Sequence, residues 1–151
     1  MGFIRTATIA AVLAGVSIVA LADDPFETEI KARQGLMNVY KYNIGILGAM
    51  AKGQMDFDAE AAQMAADNIQ SVATMKNGGL WPQGSDSDAV DSKAKAAIWE
   101  AGSKVGEYSQ KMAEAATAMA ANAGSLDGVK AAMKDLGGSC KSCHDDYRLK
   151  D

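Results

Sequence analysis

Four stretches of this chain keep an alternating three/four spacing of apolar side chains, and that rhythm restricts the fold more than any other feature. Such spacing lays one apolar stripe along a helix and does not suit the strict alternation of a half-buried strand. The first stripe is Phe26, Ile30, Arg33, Met37, Tyr40, Ile44 and Leu47. It runs from a start signal, with Asp24 as cap, Pro25 at the first helical position and Glu27 in a capping box, to a stop near Lys52-Gly53. A second begins behind Asp58 as N-cap, follows Ala61, Ala65, Asn68, Val72 and Met75, and ends at Asn77-Gly78-Gly79. The third is the most regular: Ile98, Ala101, Val105, Tyr108, Met112, Ala115 and Met119 predict a helix from about Lys93 to Asn122. Ser125 caps the fourth, whose stripe is Leu126, Val129, Met133, Leu136, Cys140, Cys143 and Tyr147. No such stripe is stable alone. Two short connections and one longer one, residues 78–92, predict an all-α, antiparallel four-helix bundle of up-down-up-down topology.

The length of 151 residues and the 48% apolar and 23% charged content suit a single globular domain. A net charge of −4 without any dense Lys/Arg cluster argues against a nucleic-acid partner. The first 22 residues stand apart. Arg5, the apolar or small run Ala7 to Val19, and Ala20-Leu21-Ala22 form a secretory signal peptide over residues 1–22, ahead of a domain over residues 23–151. A membrane anchor is the weaker reading, because the run is short and Asp23-Asp24-Pro25 has the character of a mature N-terminus. No later segment is able to span a bilayer, so the mature chain is expected to be periplasmic and without a stable anchor.

Cys140-Lys141-Ser142-Cys143-His144 holds the only cysteines and the only histidine. C-x-x-C-H is the attachment signature for c-type haem, and the signature suits a helix. Cysteines three apart share a face and reach two edges of one porphyrin, while His144 offers an imidazole to the iron. Other readings fit less well. A Cys140–Cys143 disulfide is strained within a helix, a zinc site lacks its fourth soft ligand, and a thioredoxin-type pair needs a preceding strand. One covalently bound haem c is the expected cofactor.

A second axial ligand is sought among the methionines. His144 lies near the C-terminal end of helix four, level with the first part of helix one and the last part of helix two in an up-down-up-down bundle. Met50, Met64, Met119 and Met133 are too far away, whereas Met37 and Met75 are at the right height. Helix one neighbours helix four and helix two is diagonal to it, which favours Met37 and leaves core packing open for both.

The motif running from Cys140 to Arg148, at the end of a four-helix chain, resembles the class II c-type cytochromes: cytochrome c-prime and its low-spin relatives of the c-556 type. The resemblance spans residues 24–150 and includes Arg33-Gln34, Ala51-Lys52-Gly53 with Phe57-Asp58, Leu80-Trp81 and Ile98-Trp99. Gly35-Leu36-Met37-Asn38, followed by Leu47-Gly48-Ala49-Met50, is similar to the low-spin branch, which implies that Met37 ligates the iron. It also implies that Arg33 reaches a haem propionate, and it admits a homodimer through helices one and two that no residue decides. Arg148, one turn beyond His144, is placed beside the axial imidazole or over the haem. Trp81 and Trp99 are candidates to pack near the porphyrin, with ordinary core burial as the other reading. Lys93, Lys95, Lys130, Lys134, Lys141 and Lys150 are candidates to surround the haem edge and steer a redox partner.

Thioether sulfur favours ferrous iron and raises the potential, and two strong axial ligands leave no open coordination position. The expectation is a periplasmic mono-haem electron carrier, not an enzyme, serving redox partner proteins. Its rivals are a five-coordinate protein that binds nitric oxide or carbon monoxide, and a haem-free, methionine-rich bundle that handles copper or membrane partners.

Overall fold

The computed structural model describes residues 25–150, so the leader over residues 1–22 and the Asp24 cap lie outside the described residues. Within them the chain is helical: α1 is Glu27–Ala51, α2 Ala59–Thr74, α3 Val105–Asn122 and α4 Leu126–Tyr147. Contacts run α1–α2, α2–α3, α3–α4 and α1–α4, which closes the square of an antiparallel bundle. No helix among the described residues is long and apolar enough to cross a membrane.

Local chemistry explains most of the ends. The Asp58 carboxylate accepts from the N–H groups of Glu60 and Ala61, and Ser125 Oγ accepts from Gly128 N–H, so both polar N-caps form as the sequence requires. At the far end of α1, Gly53 takes φ 68, a left-handed conformation that stops the helix after Lys52. The start of α1 differs from expectation. Pro25 and Phe26 form a turn ahead of the helix, Phe26 rather than Asp24 takes the cap position, and Glu27 pairs with Lys31.

Two other expectations are corrected. The third helix begins at Val105, not near Lys93; residues 96–98 make only a 3₁₀ turn, and Ala101 is exposed. Gly102 at φ 87 breaks the run, and the segment is held instead by distant partners. The Trp99 indole N–H donates to the Trp81 carbonyl at 3.0 Å, and Lys104 N–H donates to the Tyr147 hydroxyl at 2.6 Å. In α2 the buried stripe is Ala62, Ala65, Ala66 and Ile69; Asn68 of the expected stripe sits at its exposed edge, donating to Asn43 Oδ1 of α1 at 3.2 Å, and Met75 falls just past the helix and is exposed. Residues 75–104 thus form a strap across one end of the bundle. It is tied to α4 where Lys95 N–H donates to the Tyr147 carbonyl and Leu149 N–H to the Lys93 carbonyl, around an Ala94–Arg148 bridge.

The apolar core is concentrated at the opposite end. Leu47 and Met50 of α1, Ala62 to Ile69 of α2, Ala115 to Met119 of α3, and Val129 and Leu136 of α4 form one buried cluster. Leu136→Ala removes a fully buried side chain from it and is expected to lower unfolding stability by about 2–5 kcal/mol in a denaturant titration.

Candidate haem-binding site

The last two turns of α4 carry the site motif. Cys140 and Cys143 are free thiols, both half-buried, on a helix that continues without a break to Tyr147. Burial pushes both thiols above their ordinary range, so they are neutral near pH 7. His144 follows in the final turn and is exposed at its solvent side. Partial burial holds its pKa below the usual value, Arg148 adds to that, and Asp145 opposes it.

Two neighbouring helices wall this end. On α3, Met112 Sδ accepts from Ser139 Oγ at 3.2 Å and lies 3.8 Å from Cys140 Sγ. The contact with α4 was hidden in the sequence, where Met112 was one more stripe position. On α1, Tyr40 has its phenol pushed up to about 12, first by burial and then by the nearby Cys140. That proximity agrees with the tie through the strap, where Arg33 of α1 bonds Ser92 and the nearby Ala94 bridges to Arg148 at the end of α4. Met37 is three residues before Tyr40 and Cys143 three after Cys140, so both shift about 4.5 Å in the same direction. An ideal rise thus brings Met37 to about the height of Cys143 and His144. It is 41% exposed although it continues a stripe that is buried at Ile30, Arg33 and Leu47.

Arg33, one turn before Met37, is 4% exposed. Its Nη1 donates to Ser85 Oγ at 2.8 Å, and its Nη2 to the Ser85 carbonyl at 2.5 Å and to Ser92 Oγ at 2.7 Å. The guanidinium also lies 4.8 Å from the centre of the Trp81 ring. No carboxylate among the described residues pairs with it. Trp99 joins the group through the Trp81 carbonyl. Arg148 ends α4 as its C-cap, its N–H donating to the His144 carbonyl at 3.1 Å.

Of the lysines, Lys95 reaches the end of α4, where its ammonium donates to the carbonyls of Asp145 and Asp146. Lys141 pairs with Asp145. Lys130 and Lys134 are not brought to the site: Lys134 is six residues, about 9 Å, before Cys140 and runs along the core half of α4. Beside Cys143, Tyr108 donates to Asp146 at 2.7 Å and meets the Tyr147 ring edge-on at 5.9 Å.

These groups suit a porphyrin. Two free thiols lie one turn apart, an imidazole follows them, Tyr40 and Met112 supply apolar surface, and the buried guanidinium keeps donors for an acid group. A four-helix bundle with this motif closing its last helix defines a class II c-type cytochrome. The sequence model described as Cytochrome C' matches residues 28–148, and the chain belongs to the cytochrome c' family. It is 43% identical over 143 residues to cytochrome c-554 of Cereibacter sphaeroides, covering 90% of this chain and 92% of that one. It is 36% identical to cytochrome c' of the same organism over 149 residues, covering 97% and 99%. The solved cytochrome c' from Rhodobacter Spheriodes superposes with a TM-score of 0.80 at 35% identity, over 83% of this chain and 98% of that one. The protein is thus an electron-carrier haem protein of this family, and its cofactor is covalently attached haem c.

Proposed function

We propose that the protein is a low-spin, His/Met-ligated electron carrier of the periplasm. The observation that carries this reading is the level of Met37: register ties it to Cys143 and His144, on a stripe otherwise turned to the bundle interior. Haem iron supplies the one-electron exchange between ferric and ferrous states. Cys140 and Cys143 would hold the macrocycle as thioethers, and His144 and Met37 would coordinate its iron. Arg33 offers its remaining N–H donors to a propionate, the anion that a buried guanidinium without a carboxylate partner calls for. Trp81, its one face under the guanidinium, lends apolar surface to the same edge. Arg148 keeps positive charge beside the proximal imidazole, which favours the neutral, iron-binding form of His144.

With His144 and Met37 both on the iron, electron exchange would need little rearrangement, which suits a carrier for redox partner proteins rather than an enzyme. Residues 1–22 are its export signal. Exposed Val39 and Tyr42 on α1 and Met64 on α2 are the side chains on which a homodimer would form.

The test is an absorption spectrum of the haem-loaded protein, oxidised and reduced, with and without carbon monoxide. A low-spin spectrum with the near-infrared sulfur-to-iron band is expected, unmoved by carbon monoxide at concentrations that saturate a five-coordinate haem. A high-spin spectrum that shifts with carbon monoxide overturns His/Met ligation and makes gas binding the function.

A further inference from the structure

The Arg33 side chain joins two parts of the molecule that sequence separates widely. A guanidinium stays charged, and burying it is tolerated only where its donors are met. Every donor bond it makes goes to the strap, to Ser85 and Ser92. Ser85 is itself fixed, its hydroxyl donating to the Pro82 carbonyl at 2.7 Å and its N–H to the same carbonyl at 3.2 Å. Ser92 Oγ also accepts from Ala94 N–H at 3.1 Å, and Ala94 bridges to Arg148 at the end of α4. One α1 side chain is therefore bound to a strap whose other end is bound to the helix bearing the motif. Met37 is the next residue on that face of α1, one turn away.

We propose that Arg33, Ser85 and Ser92 are positioning residues that latch the first half of α1 to the strap and so hold Met37 at the level of His144. This rests on the reading of Met37 as axial ligand. With the latch closed, Met37 stays on the iron. With the latch weakened, the first half of α1 moves more freely and the fraction of molecules with Met37 withdrawn rises. Carbon monoxide binds only that fraction, so its apparent affinity scales with the fraction.

The experiment titrates carbon monoxide into the ferrous, haem-loaded wild type, a Ser85→Ala/Ser92→Ala double variant and Ser92→Thr. The ferric near-infrared spectrum of each is recorded beside the titration. The double variant is expected to keep the sulfur-to-iron band and to reach half-conversion at about one-tenth of the wild-type carbon monoxide concentration, a tenfold change that corresponds to about 1.4 kcal/mol. Ser92→Thr retains a hydroxyl and is expected to titrate as wild type. Should the double variant fail to fold, Ser92→Ala alone is expected to show a change in the same direction. Unchanged affinity in the alanine variant beside a normal wild-type band overturns the latch alone. A wild type without the band overturns Met37 ligation, and the latch with it.

Discussion

Met37→Ala is expected to change the ferric protein from low to high spin, abolish the near-infrared sulfur-to-iron band and open the ferrous protein to carbon monoxide. The variant should lose only the ligand. Met37 is 41% exposed, so its truncation leaves the buried cluster at the other end of the bundle intact, and thermal stability of the fold should move far less than the spectrum does. Axial-ligand identity spreads haem potentials over about 0.8 V, and loss of a thioether should lower the midpoint by on the order of 0.1 V. An unchanged spin state in the variant removes Met37 as ligand. Absorption and potentiometric titration read both effects from one sample.

A Cys140→Ala/Cys143→Ala double variant is expected to lose covalent haem completely. Acidic acetone should extract all of its haem, whereas wild-type haem stays with the protein. Each single variant keeps one thioether, so its haem should remain through extraction with a shifted haemochrome band. The half-buried thiols accept alanine with little disturbance of α4, since the helix is capped at Ser125 and tied at Tyr147 independently of them. Full retention of haem in the double variant would mean that attachment does not use this pair.

The bundle and the motif were legible in the sequence because both are written in local spacing. Asp58, Ser125 and Gly53 end helices by interactions within a few residues, and C-x-x-C-H is contiguous. Topology and a fixed rise per residue also supply the expected level of Met37. The start of α3 was not. Ile98, Ala101 and Val105 have helical spacing, but Gly102 and the Trp99–Trp81 and Lys104–Tyr147 hydrogen bonds override it. The α2 stripe was misplaced by one position, because six alanines between Ala59 and Ala73 give either face almost the same pattern. Arg33 held by Ser85 and Ser92, and Met112 against Cys140, left no signal at all. Contacts from a strap, or across the α3–α4 seam, have no period to detect.

The division of the bundle into a tightly packed end and a cofactor end separates two demands on one chain. Leu136 and Met119, fully buried, hold the helices together regardless of what happens beyond Cys140. Substitutions near the motif are thereby insulated from folding. With Met37 as the proposed ligand, a change at position 37, or in the strap that Arg33 grips, is expected to alter how the iron is held without a rebuilding of the scaffold.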